Sequence, residues 1–203
     1  SAVPFHMWVP DVYQGSPTSV TMFLSTAPKI AAVALLVRLL IDGLGDFQHY
    51  WADLFMVLAV LSIAVGSLVA LTQVNIKRML AYSTISHVGF VFLGFMTGVV
   101  EGYGSAVFYV LVYILMSLAA FGSIIALNRN GFEADQISDF RGLSKHSPWF
   151  ALIMLVVMLS MAGVPPFIGF YSKLFIIQQV VSEGYVILAV VVVIFAVISA
   201  YYY

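Results

Sequence analysis

Lys29, His87 and Lys173 are the residues whose chemistry sits least easily with its surroundings, because each lies inside a long apolar run. A lysine at membrane depth costs roughly 2.5 to 3.5 kcal/mol on translocon scales, so such residues mark ion or proton pathways more often than packing. Lysine titrates near 10.4 in water, and full burial is able to bring it into the neutral range. Lys29 and Lys173 are therefore candidates for proton exchange near pH 7. Lys29 directly follows Pro28, which loosens the helical ladder around it, and no acidic residue of the chain is placed at membrane depth to fix it in an ion pair. Lys173 has apolar sequence on both sides and stands well away from either end of its span, which disfavours the alternative of a lysine snorkelling to an interface.

His87 belongs to a hydroxylic patch, with Tyr82, Ser83, Thr84 and Ser86 before it. Ser83 and Thr84, at i−4 and i−3, share its helix face. A group titrating near 6.5 among hydroxyls suits a proton relay, and a hydrogen-bonded packing histidine has the same pattern. Tyr109, Tyr113 and Ser117 form an i, i+4, i+8 stripe on the following span. They either line the same wet seam or tie helices together. His6, near Trp8 and Asp11, lies toward the cytoplasmic side, where it is a candidate for proton entry. Lys77 and Arg78 read most simply as topology anchors.

These residues need elements to hold them, and the run from Trp149 to Val181 is the most informative. Pro165-Pro166 should break its helix near mid-membrane, about two turns before Lys173. In a bilayer such a break is tolerated only where protein or trapped water satisfies the freed carbonyls. A broken helix beside a buried cation is a recurrent signature of an ion pathway. The composition agrees with a membrane setting, at 63% hydrophobic and 8% charged residues with mean hydropathy +1.07. The net charge of −1 gives no reason to expect nucleic acid as a partner. No cysteine is present, which excludes disulfides, iron–sulfur ligation and thiol catalysis within this stretch. Phosphate loops, metal-ligand spacings and nucleophiles with partnered bases are missing too. A b-type cytochrome would need paired histidines within spans, whereas His49 and His146 read as loop residues.

In chain order, Ser1 to Ser16 reads as the end of a membrane segment running into a proline-punctuated loop. Pro17 to Leu40 crosses, Asp42 to Asp53 is a polar loop, and Ala52 to Thr72 crosses back. Gln73 to Arg78 turns, Ile76 to Gly98 carries His87, and Val99 to Gly104 turns again. Tyr103 to Leu127 crosses, and Asn128 to Ser147, with Glu133, Asp135, Asp139, Arg141, Lys145 and His146, reads as an interfacial loop or short surface helix. The broken span, a turn at Ser182 to Tyr185 and the run Val186 to Tyr203 complete an all-α, polytopic bundle of six crossings plus a partial one. Ser1 and the apolar Tyr201-Tyr202-Tyr203 ending read as cut ends of a longer protein. Lys77, Arg78, Arg129, Arg141 and Lys145 fall on one side, expected to be cytoplasmic by the positive-inside rule, with the acidic loops outward. Val3-Pro4-Phe5-His6 and Val164-Pro165-Pro166-Phe167 echo each other, as two related halves would.

The motifs Val3-Pro-Phe-His-Met-Trp-Val-Pro-Asp-Val-Tyr13, Ala27-Pro-Lys29-Ile-Ala31, Asn75-Ile-Lys-Arg-Met-Leu-Ala-Tyr-Ser-Thr-Ile-Ser-His87 and Gly163-Val-Pro-Pro-Phe-Ile-Gly-Phe-Tyr-Ser-Lys173 carry a resemblance over the whole length. The chain resembles the subunit N group of the antiporter-like family in proton-pumping NADH:quinone oxidoreductase, respiratory complex I, a family that also includes subunits of multisubunit cation/proton antiporters. The resemblance implies part of a fourteen-helix fold with two inverted five-helix repeats and a broken helix in each. Residues 1–40 would end the first repeat and residues 52–203 would form the second. Lys29 matches the lysine of the helix after the first broken one, Lys173 that of the second broken helix, and His6 a histidine of the loop after the first. The family's glutamate and first lysine would precede Ser1. Related subunits carry histidine or lysine on the span where this chain has Tyr113.

The same resemblance implies proton translocation across a bacterial inner membrane, coupled to quinone reduction elsewhere in the complex. No cofactor is expected in this chain, with NADH, FMN, iron–sulfur clusters and quinone bound by other subunits. The expected partners are other membrane-arm subunits and the lipid bilayer. A sodium/proton antiporter subunit is the rival reading, favoured by carboxylates at membrane depth, of which the spans have none. A purely structural scaffold is the third, and two mid-membrane lysines argue against it.

Overall fold

A computed structural model describes residues 1–128 and 134–203. In chain order the helices are α1 (Trp8–Gly15), α2 (Thr18–Arg38), α3 (Gln48–Ala70), α4 (Ile76–Met96), α5 (Val100–Leu127), α6 (Leu143–His146), α7 (Pro148–Ala162), α8 (Ile168–Ser182) and α9 (Val186–Ala200). A π-helical turn, Leu39–Gly43, extends α2, and 3-10 turns stand at Gly45–Phe47 and Ile137–Phe140. Among the described residues the only strand-like pairing is one isolated bridge between Asn75 and Gln136, so the architecture is all-α.

Helix α4 is the hub. Its start is fixed by Asn75, whose side-chain oxygen accepts from the Arg78 backbone N–H at 3.0 Å. It packs against α3, α5, α1 and α8, so nearly every side of it is buried, polar residues included. Contact with α3 is close because Gly66 offers no side chain where the helices cross. A Cβ there would lie 2.5 Å from the Ser86 nitrogen and 2.7 Å from the Tyr82 carbonyl oxygen. Beside it, Ser67 Oγ and Ser86 Oγ hydrogen-bond at 3.2 Å. Small residues and hydroxyls are what draw helices together in lipid, where the hydrophobic effect gives no preference.

Among the described residues, four helices are long and apolar enough to cross a membrane: α2 with its π-helical extension, α3 with its 3-10 lead-in, α4 and α5. Helices α7, α8 and α9 have 15 residues each, roughly 22 Å of rise against about 30 Å of hydrocarbon. The broken run is therefore served by two short helices where the sequence suggests one interrupted span. Helix α7 stops at Ala162 and α8 resumes at Ile168, with Pro165-Pro166 in the gap.

Several expected boundaries move. Ser1 to Ser16 is not merely a loop, because α1 forms within it and buries Val9, Pro10 and Tyr13. Pro10 lies in the first turn, where its missing N–H would have no helical partner anyway. The expected polar loop from Asp42 to Asp53 is already helical at Gln48, with exposed His49 and Asp53 in the opening turns of α3. Likewise α5 begins at Val100, inside the expected turn. Polar side chains at a helix end satisfy themselves in water without ending the helix, so they mark the membrane surface better than the helix boundary. Arg38 stands in the last turn of α2, next in sequence to the acidic segment at Asp42 to Asp53. Lys77 is no surface anchor, being only 2% exposed.

The segment after α5 is stitched to the start of α4. Ile76 N–H donates to the Asp135 carbonyl oxygen at 2.7 Å, Ile137 N–H to that of Val74 at 3.0 Å, and Asn75 Nδ2 to Asp135 Oδ2 at 2.9 Å. Short helical turns follow, as expected for an interfacial segment, while Arg129 and Glu133 lie outside the described residues. The Gly66 crossing yields a direct expectation. Gly66→Ala should destabilise the folded subunit by about 1–3 kcal/mol, since both atoms in the way are backbone and cannot rotate aside. A lowered thermal midpoint of the detergent-solubilised complex would show it, and an unchanged midpoint would contradict this account of the α3–α4 crossing.

Candidate functional site

Prolines interrupt the chain at two places near the lysines, Pro28 and Pro165-Pro166, and at each a lysine ammonium bonds nearby backbone carbonyls. Beyond the end of α7, Lys173 Nζ reaches back from α8 and donates to the carbonyl oxygens of Met161 (2.9 Å) and Ala162 (2.8 Å). A cation at a helix C-terminus also complements the helix dipole. In α2, Lys29 Nζ donates to the Ser25 carbonyl oxygen at 2.9 Å, one turn back across Pro28, and to the Tyr13 hydroxyl at 2.8 Å. Lys173 is 6% exposed and Lys29 half-buried. Both ammonium groups point into the bundle: Lys29 Nζ lies 5.5 Å from the ring centres of Tyr13 and Tyr113, and Lys173 Nζ 5.5 Å from that of Phe90.

Contact between α7 and α8 depends on Gly169. A Cβ there would fall 1.7 Å from the Ser160 carbonyl oxygen, and the Gly169 N–H donates to Ser160 Oγ at 3.1 Å. This crossing places Lys173 one turn further along α8, beside the last carbonyls of α7. Lys173 is therefore part of the structural closure of α7. Truncating it leaves two buried carbonyls short of donors, which is destabilising.

Between the lysines lies His87, 4% exposed. Its Nδ1 is 2.6 Å from the Tyr109 hydroxyl and its Nε2 3.1 Å from the Tyr203 hydroxyl. Tyr203 also hydrogen-bonds Ser83 Oγ. Thr84 Oγ1 meets the Tyr113 hydroxyl at 2.7 Å and back-bonds to the Leu80 carbonyl oxygen at 2.9 Å. The His87 ring is 4.9 Å from that of Tyr113, centre to centre. A cavity of about 180 Å³ is lined by Lys29, His87 and Tyr113 together with Val91 and Val110, large enough for several waters. On the other side, Phe90 stacks on Tyr109 at 5.6 Å and stands under Lys173. A second cavity, about 310 Å³, borders Lys173, Gly163 and Phe170 and is walled by Val193, Ala196 and Val197 of α9.

Lys29, Tyr113 and His87 thus converge on one cavity, with Lys173 next to them behind Phe90. His6 does not join them. It is half-buried, its Nδ1 has no hydrogen-bond partner, and its backbone carbonyl oxygen accepts from Val9 N–H. Tyr13, Tyr203 and Phe90 were not legible as site residues. Tyr13 and Tyr203 act through contacts across many residues of sequence, and nothing local distinguishes them from other tyrosines of an aromatic-rich chain. The one available signal for Tyr13 is its burial pattern with Val9 at i−4, readable only once α1 is known to be helical. Among the described residues, no group of three or more histidine, aspartate or glutamate side chains is placed to hold a metal ion.

Such a fold, with buried lysines at helix breaks and a histidine–hydroxyl seam between them, defines an antiporter-like membrane subunit. The chain belongs to the family described as NADH:quinone oxidoreductase/Mrp antiporter, TM, matched over residues 1–199. NADH-quinone oxidoreductase subunit N of Ruthia magnifica subsp. Calyptogena magnifica is 74% identical over 202 residues, which is 100% of this chain and 42% of the relative. The subunit N of Thioalkalivibrio sulfidiphilus is 59% identical over the same shares of the two chains. This chain therefore spans 42% of the length of these curated relatives. Among solved structures, a chain of respiratory complex I from Thermus thermophilus matches with TM-score 0.84 at 36% identity, covering 99% of this chain and 44% of that one. A chain of the Mrp complex from a Dietzia species matches with TM-score 0.88 at 25% identity, covering 99% and 37%.

The α7–α8 crossing gives a second expectation. Gly169→Ala should drive the two short helices apart and weaken both Lys173 bonds, because a Cβ 1.7 Å from a carbonyl oxygen cannot be accommodated in place. Cysteines introduced for Ser160 and Ser172 would report it, with slower disulfide trapping in the variant than in the parent. Equal trapping rates would refute the tight crossing.

Proposed function

We propose that this chain is the part of a complex I subunit N that carries protons across the membrane, with Lys29, His87, Tyr113 and Lys173 as the proton-bearing residues. The observation behind this reading is the bonding of the two lysines. Each ammonium has two N–H groups committed to fixed oxygen acceptors, Tyr13 and Ser25 for Lys29 and Met161 and Ala162 for Lys173. An ammonium has three N–H groups and a neutral amine two. Loss of the third proton therefore leaves both positioning bonds intact, so the side chain need not move to discharge. The cavities beside each lysine are where that proton would leave or arrive. His87, with an oxygen partner on each ring nitrogen, can take a proton at one nitrogen while releasing one at the other. The Tyr109, Tyr113, Thr84 and Ser83 hydroxyls supply both donors and acceptors along the seam.

The subunit would sit among other membrane-arm subunits of a bacterial inner-membrane NADH:quinone oxidoreductase. Its pumping would be driven by quinone reduction elsewhere, with NADH, FMN, iron–sulfur clusters and quinone bound by other subunits. The α4 first turn, Arg141 and Lys145 would face the cytoplasm, Arg38 notwithstanding, since basic residues predominate there. Residues 1–40 would close one inverted repeat and residues 52–203 form the next. Likeness to an Mrp complex keeps sodium/proton exchange as a second reading. Sodium prefers carboxylate and carbonyl oxygens, and among the described residues no aspartate or glutamate is buried, which favours the proton.

In the complete complex, Lys173→Arg should keep the α7 terminus capped yet lower the proton-to-electron ratio, because guanidinium does not deprotonate in the accessible range. Lys173→Ala should lower the ratio too, and additionally the thermal stability. Oxidation of NADH with an artificial acceptor should persist in both. The measurement is proton uptake by proteoliposomes at matched electron flux, and an unchanged ratio in both variants would remove Lys173 from the pathway.

A further inference from the structure

Among the described residues, Lys77 is a buried cation that the relay leaves unused. It lies in the first turn of α4, on the polar side, and its Nζ donates to the Ser16 carbonyl oxygen at 3.1 Å, just past the end of α1. The next residue, Arg78, donates from Nη1 to Asp11 Oδ1 at 2.8 Å and Gln14 Oε1 at 3.0 Å. One turn of α4 therefore grips α1 at two places. The grip matters because α1 has 8 residues, too few for a helix to hold its shape unaided. The face of α1 that turns inward carries Tyr13, which is 1% exposed, rests edge-on against Phe121 and accepts from Lys29 Nζ.

We propose that Lys77 and Arg78 are positioning residues for Lys29, acting through α1 and Tyr13. The proposal rests on the reading of Lys29 as a proton carrier and adds to it the part of the chain that sets its proton affinity. The groups facing Lys29 are Tyr13 from α1, Tyr113 from α5, His87 of α4 and the Ser1 amino group across the shared cavity, and the Ser25 carbonyl of its own helix. Of these, Tyr113 and His87 are fixed by long packed helices. Tyr13 alone stands on a short element that needs an external grip. The exposed Arg78–Asp11 pair, with side chains 32% and 71% exposed, is the weaker half of that grip. Buried Lys77, whose Nζ donates to the Ser16 carbonyl oxygen at the α1 terminus, is the stronger half. Since α4 runs as one rigid helix from Lys77 to His87, its first turn sets the Lys29 end of the seam while its middle sets the histidine end.

The test uses the complete complex in proteoliposomes, reading proton translocation per electron as a function of pH for Tyr13→Phe, Lys77→Met and the double variant. Tyr13→Phe should displace the pH profile by about one unit, a tenfold change in proton affinity for a lost charge-assisted bond. Lys77→Met should displace it in the same direction, and the double variant no further than Tyr13→Phe alone, because both changes act on one bond. If Lys77→Met does not assemble, Arg78→Gln is read in its place, with a smaller displacement that vanishes in the Tyr13→Phe background. An unmoved profile, or displacements that add, overturns the proposal. Lys29→Ala in the same preparation separates the two readings. If it leaves the proton-to-electron ratio intact, Lys29 carries no proton, whereas a lost ratio together with unmoved clamp variants sinks only the clamp.

Discussion

The bond on which the rest of this structure depends runs from the Lys173 ammonium to the last carbonyls of α7. In hydrocarbon a backbone carbonyl without a donor costs several kcal/mol, so a helix cannot simply stop at mid-membrane. A lysine there is equally untenable without acceptors. Placed against each other, the two liabilities cancel in large part, and the break and the cation become conditions for one another. The same arrangement recurs on a smaller scale where Lys29 donates to Ser25 across Pro28. Here one proline disturbs the ladder without ending the helix, and a tyrosine hydroxyl takes the place of the second carbonyl.

Positioning these lysines to fractions of an ångström is left to packing. Helix α4 lies so close to α3 at Gly66 and Ser86 that it has little freedom to shift or roll. Its remaining faces then present Ser83, Thr84 and His87 toward α5 and toward Tyr203, just past α9, where tyrosine hydroxyls meet them. Tyrosine suits this role better than serine would, since the ring spans the gap between helices while the hydroxyl stays at the hydrogen-bonding distance.

What the sequence revealed and what it concealed divide along a physical line. Lys29, His87, Lys173 and the break at Pro165 were legible because each violates the rules of its own neighbourhood, a charge or a proline in an apolar run, and such violations are visible one residue at a time. Tyr13 and Lys77 were not, because a tyrosine or a lysine near a helix end violates nothing. Their importance lies in partners many residues distant, Lys29 and Ser16. The same reasoning explains the misplaced loop at Asp42 to Asp53 and the missed helix α1. Polarity locates the membrane surface, whereas a helix end is decided by hydrogen bonds and by what its apolar side chains find to pack on.

The two halves of the seam are not alike, and the difference bears on the proposed proton path. On the Lys29 side, a cavity bordered by Tyr113 and His87 connects groups that all bear exchangeable protons. On the Lys173 side, Phe90 lies between the Tyr109 ring and the ammonium. A phenyl ring attracts a cation through its face but cannot hand on a proton. On the proposed path, transfer across it would require water at its edge or a turn of its side chain, and either would be favoured or opposed by the charge on Lys173, which faces the ring. Discharging that lysine removes the attraction that holds the ring in place. If the proposed path holds, the ring would be a barrier whose hold depends on the protonation state of the group it screens, a coupling that would need no movement of the helices.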